Sequence, residues 1–169
     1  SEFSLVDGIV RIKPLAARLS ALGMGAVALT DQTNIFGAVK FYRACVSTGI
    51  KPILGADIHV CNPDDDAKPF HLILLCQDEP GYKNLLQIIS KAYLEGQRMG
   101  VAMVEKQWIA DYADGLIALS GGLDGDVGQA LIRDDVITAK RHLAAWQTLF
   151  PNRFYIELQR TGRKQEDYY

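Results

Sequence analysis

Short apolar runs alternate with longer stretches of helical periodicity along the whole chain, and this alternation restricts the fold more than any other feature of the sequence. The first helical stretch covers 14–22, with Pro14 at its start and Gly23 just past its end. That placement suits a residue without an N–H and a residue tolerant of left-handed backbone. Ala26-Val27-Ala28-Leu29 reads as a buried strand ending at Thr30 and Asp31. A helix over 36–46, closed by Gly49, precedes a strand over 52–60. The polar segment 62–69 reads as a solvated hairpin tip; its acids Asp64, Asp65 and Asp66 lack the alternate spacing and glycine of a calcium loop.

Beyond the tip the pattern predicts a strand over 70–76, a helix over 79–95, a loop over 96–103 and a short helix over 106–112. A strand over 115–120, helices over 127–133 and 136–150 and a last strand over 153–158 complete the reading. Repeated strand–helix units with no internal repeat, low-complexity tract or linker imply one α/β domain built on a largely parallel sheet or barrel. A formal net charge of −2 argues against a dedicated nucleic-acid-binding module. No apolar run reaches the roughly 18–20 residues of a membrane span, and Ser1-Glu2-Phe3-Ser4 has neither the charge nor the apolar stretch of a signal peptide. Without an initial Met, the start reads as processed or as the edge of an excised piece. Cys45, Cys61 and Cys76 have no zinc-like spacing; Cys45 and Cys76 sit in apolar runs, as small buried hydrophobes do, and the expected compartment is reducing cytosol.

Chemistry in α/β folds collects where strands run out at their carboxyl ends. Thr30-Asp31-Gln32-Thr33-Asn34 and Ser120-Gly121-Gly122 are such positions. Asp31 could serve there as a base or ligand; alternatively Asp31 and Asn34 shape the turn and cap the next helix. The stretch 121–126 could cradle a phosphate at a helix start, although it has no P-loop lysine. His59, His71 and His142 form no HxH or HExxH pattern, and Arg160, Arg163 and Lys164 make a small basic cluster that reads more simply as a solvated face.

The same stretches carry a family resemblance. Ser4-Leu5-Val6-Asp7-Gly8, Ala28-Leu29-Thr30-Asp31-Gln32-Thr33-Asn34 and Gly49-Ile50-Lys51-Pro52-Ile53-Leu54-Gly55-Ala56-Asp57 resemble the opening of bacterial DNA polymerase III alpha subunits. His71-Leu72-Ile73-Leu74-Leu75, Ile89-Ser90-Lys91-Ala92-Tyr93, Leu116-Ile117-Ala118-Leu119-Ser120-Gly121-Gly122 and Arg160-Thr161-Gly162-Arg163 continue the likeness in order. The resemblance implies the polymerase-and-histidinol-phosphatase (PHP) domain, an irregular β/α barrel that has seven strands when complete. On that basis residues 1–169 are expected to be a fragment of a single PHP domain, lacking its first strand and C-terminal part.

Complete members hold zinc or manganese on histidines and carboxylates, a donor set suited to activating water for phosphoester hydrolysis. By resemblance the site positions here are Asp7, Asp31, Gln32, Asp57, His71 and Gly122. The opening HxH would precede Ser1, and a distal Asp-x-His would follow Tyr169. Gln32 stands where intact sites have histidine, Asp57 where they have glutamate, and Gly122 where relatives often carry cysteine. An amide is a weaker donor to a transition metal than an imidazole. The expectation is a vestigial site with no catalytic residue and no metal, Asp7 and His71 being its remaining ligands if any metal binds.

The resemblance further implies a cytoplasmic, non-membrane scaffold that supports the polymerase and docks the proofreading exonuclease subunit. DNA would be reached through the parent chain, a DNA-directed DNA polymerase whose magnesium site lies in a downstream domain; the fragment alone should not polymerise DNA. The alternative is a metal-dependent phosphoesterase, either a 3′–5′ exonuclease or pyrophosphatase-like.

Overall fold

A computed structural model of the chain describes residues 1–4, 8–65, 67–162 and 166. Helix α1 (Ile12–Ala21) ends at Leu22 and Gly23, whose φ of 72° reverses the chain into strand β1 (Ala26–Gln32). Helix α2 (Ala38–Ser47) is ended in the same way by Gly49, at φ 73°, and leads to strand β2 (Lys51–Val60). Both reversals use the conformation that glycine adopts without steric cost. Strand β3 (Phe70–Cys76) follows, then helix α3 (Glu79–Leu94), whose N-cap Asp78 accepts the Gly81 N–H at 2.8 Å.

The predicted loop over 96–103 is instead a small hairpin, strands β4 (Gln97–Arg98) and β5 (Val101–Val104). Met99 and Gly100 at its tip both have positive φ, 50° and 81°, as the tightest hairpin turns require. Periodicity over so few residues is too short to show this. Helix α4 (Lys106–Asp111), strand β6 (Leu116–Leu119), helices α5 (Asp126–Ile132) and α6 (Val136–Leu149) and strand β7 (Phe154–Tyr155) complete the order. The last strand is shorter than the predicted 153–158 because β6 stops at Leu119: the Glu157 N–H goes to the Ser120 hydroxyl at 3.0 Å, not to a ladder carbonyl.

The seven strands form one mixed sheet, which corrects the expectation of a largely parallel one. β1/β2, β2/β5 and β6/β7 run parallel, whereas β2/β3, β3/β6 and β4/β5 run antiparallel. Residues 61–69 are too few for a crossover, so β2 and β3 meet as a hairpin. β2 is the organising strand: β1 lies along Lys51 to Asp57, β5 takes over at His59 and Val60, and β3 pairs from Gly55 onward. Among the described residues β1 and β7 do not pair, so the sheet is an open, partial barrel.

Side-chain alternation gives the sheet two unlike faces. Ala56, Ile58, Val60, Phe70, Leu72 and Leu74 are buried against Leu85, Ile88 and Ala92 of α3, Ile109 of α4 and Trp146 of α6. A second core joins Ile12, Ala16 and Leu19 of α1 to Leu29, Phe41, Cys45 and Ile50. The opposite positions on β2 and β3, including Asp57, His59, His71 and Ile73, are only half-buried.

Candidate functional site

The carboxyl ends of β1, β2, β5, β6 and β7 and the start of β3 all fall at one end of the sheet, as the pairing directions require. Gln32 and Asp57 are direct partners across β1 and β2, and His59 and His71 are direct partners across β2 and β3. Gln32, Asp57, His59 and His71 are thereby drawn to the half-buried face. His71 Nδ1 lies 3.0 Å from both carboxylate oxygens of Asp57, and the His59 and His71 rings meet edge-on with centroids 4.8 Å apart. His59 is the member that motif reading missed. The signal was available: His59 and His71 stand equally far from the middle of the 60–70 hairpin, so antiparallel pairing brings them opposite each other.

Asp31 is placed apart from this group. As the residue before Gln32 it points to the other side of β1, and it is completely buried. Its carboxylate accepts hydrogen bonds from the Ser1 nitrogen at 2.5 Å, the Ser1 hydroxyl at 2.8 Å and the Ser4 hydroxyl at 2.8 Å. Ser4 Oγ in turn accepts the Gln32 N–H at 3.1 Å. The turn-shaping role belongs to Asn34, which donates to the Phe3 and Gln32 carbonyls and accepts from the Phe36 N–H. Thr33, at φ 44°, donates its N–H to the Asp57 carbonyl at 2.8 Å, and its buried hydroxyl has no partner among the described residues. Asp7, Arg163 and Lys164 lie outside the described residues, as does Asp66 of the hairpin tip.

Gly122 has φ 59°, and a β-carbon there would lie 3.2 Å from the side-chain amide of Gln159. That amide donates to Glu157 at 2.7 Å, so Gln159 lies against the position at which the resemblance implies cysteine. The other glycines of this stretch are packed against backbone. Gly121 is pressed against the His71 carbonyl, Gly125 against that of Ser120 and Gly128 against that of Gly122. Glycine is needed there for backbone to approach backbone.

A second polar cluster was not legible as one. Asp126, 3% exposed, accepts the Trp146 indole N–H at 2.9 Å and pairs with Lys106 at 2.8 Å and His142 at 3.2 Å. Lys106 Nζ also sits 5.0 Å above the Trp146 ring. Burial depresses His142 below its ordinary value of 6.5, an effect that the Asp126 charge opposes. Burial pushes the Cys76 thiol up to about 11, with Asp78 adding to the effect, and the same cause raises Cys45. A thiol so rarely ionised is an inert packing group.

Comparison with known proteins shows the family. Residues 1–161 match the PHP domain, and the chain belongs to that family. It is similar to DNA polymerase III subunit alpha of Pseudomonas aeruginosa, 46% identical over 99% of this chain, and of Vibrio cholerae, 44% identical over all of it. The same subunit of Escherichia coli K12 is 42% identical, also over the full chain. The chain spans only 14–15% of the length of these relatives.

The described donors do not fit the zinc or manganese cluster of complete family members. Asp31 is engaged by serines on the far side of its strand, Gln32 offers an amide, Gly122 offers nothing, and the carboxylate of Asp57 is turned onto His71.

Proposed function

We propose that this chain is the PHP portion of a DNA polymerase III alpha subunit, a non-catalytic, metal-free scaffold that supports the polymerase and docks the proofreading exonuclease subunit in the cytoplasm. The observation carrying this reading is the pairing of Asp57 with His71 beside Gln32. A multi-metal site needs its carboxylate and imidazole aimed at a shared cation. Here the carboxylate and the imidazole are turned onto each other, and the neighbouring donor is an amide. The absence of a helix long and apolar enough to cross a membrane, among the described residues, accords with the proposed location. The parent chain would carry out DNA-directed DNA synthesis with magnesium bound in another domain, reaching DNA there.

A pull-down with the full-length alpha chain tests the scaffold role. The expected result is retention of the purified exonuclease subunit, and retention that survives Asp57→Ala and His71→Ala together. If the folded full-length chain retains none, the scaffold reading fails. Phosphoesterase activity that is lost in the same double variant would favour the metal-dependent hydrolase instead.

A further inference from the structure

Helix α2 packs onto the sheet through Ala38, Phe41 and Cys45, so its other side faces outward. On that side Phe36 is 71% exposed and Val39 65%, with Val46 exposed further along. Val39 and Val46, seven residues apart, share one side of α2, and Phe36 in the turn just ahead of the helix extends this apolar stripe. A groove of about 740 Å³ follows the stripe, lined by Phe36, Val39 and Ala44 together with Lys13, Lys40 and Arg43. No acid lines it among the described residues, although the chain as a whole carries −2. Lys40 is held by Glu2 at 2.7 Å and covers the Phe3 ring, while Lys13 and Arg43 are exposed at the rim.

We propose that this face is a docking surface for an acidic segment with apolar anchors, carried by a separate partner subunit. Seating apolar anchors on Phe36 and Val39 removes their surface from water, and acids opposite Lys13 and Arg43 set register and speed encounter. A nucleic-acid backbone would use the cations but leave the apolar stripe between them uncovered, which favours a protein occupant. The inference rests on the scaffold reading, since a docked subunit is what would carry the segment.

The test uses the full-length alpha chain and the purified exonuclease subunit as probe, titrated at low and physiological salt. K13E/R43E reverses two rim charges and leaves the Lys40–Glu2 pair intact; Phe36→Ala removes the apolar anchor point. The expected result is at least about a tenfold rise in Kd for K13E/R43E with a flatter salt dependence, a weaker complex for Phe36→Ala, and an unchanged melting temperature for both. Normal binding by wild type and by both variants overturns the docking face and leaves the scaffold reading standing. Absence of binding by wild type overturns both. If K13E/R43E instead lowers the melting temperature of the full-length chain, shifts its oligomeric state or weakens only DNA binding, the occupant is the chain itself, a second copy or nucleic acid, and the proposal is wrong.

Discussion

Asp31 and Asp126 are withdrawn from water almost equally, yet they are satisfied in different ways. Asp31 is held by the hydroxyls of Ser1 and Ser4 and the Ser1 nitrogen, all from the few residues ahead of α1. Asp126 is held by an indole N–H, a lysine and a histidine gathered from α4 and α6. The first arrangement ties a strand end to a short local segment. The second ties three helices together across the main core. A buried carboxylate is often read as chemistry in waiting, but in both places the hydrogen-bonding capacity of the carboxylate is consumed by structure. Asp57, half-buried and paired with His71, is the third case, and like Asp31 it stands where the resemblance implies a metal ligand.

If that contrast is correct, the largest effect belongs to Asp126. Replacing it by Ala strands the Trp146 N–H in the core and removes the partner of Lys106 and His142. Stability to urea should fall by about 3 kcal/mol. Asp31→Ala should cost less, about 1–2 kcal/mol in the same measurement, because small serine hydroxyls can turn to other partners or water. Equal losses at the two sites would break the comparison.

A smaller effect should appear with pH. Burial holds His142 below 6.5, so on acidification through that value the unfolded chain takes up a proton that the folded chain resists. The stability contributed by the neutral ring is therefore present above 6.5 and is lost as the pH falls toward the depressed folded value. Urea midpoints measured from pH 8 to 5 should decline for wild type and decline less for His142→Gln. Parallel curves would remove His142 from the account. The smallest change is expected for Asp57→Asn. Its pair with His71 is only half-buried, and Asn keeps an oxygen that can accept from the ring, so the loss should be about 1 kcal/mol or less; thermal melting should barely move.

Most of the element order was legible because it depends on local rules. Pro14 and Gly23 bracket α1, and the runs 26–29, 52–60 and 70–76 are apolar enough to read as strands. The sheet's mixed direction followed from a non-local fact, the shortness of 61–69, which was read as a hairpin tip without drawing the antiparallel consequence. β4 and β5 escaped because a four-residue strand next to a two-residue turn has no period to measure. At the site, resemblance located Gln32, Asp57 and His71, and pairing register then brought them onto one face. It could not show that Asp31 points away from them, which depends on where β1 ends and how its side chains alternate. The Asp126 cluster was invisible because Asp126 lies 20 residues from Lys106, 16 from His142 and 20 from Trp146, and the four belong to no motif: they meet only after the helices pack.

We infer that Asp57 and His71 are engaged with each other rather than with a metal ion. Elemental analysis for zinc and manganese on the full-length alpha chain, purified without chelator, addresses it most directly. The expected result is a metal content near zero per chain attributable to this domain, unchanged by Asp57→Ala with His71→Ala. Two or more zinc or manganese ions per chain, lost in that double variant, would contradict it and show that Gln32 and Asp57 are tolerated in a working metal site.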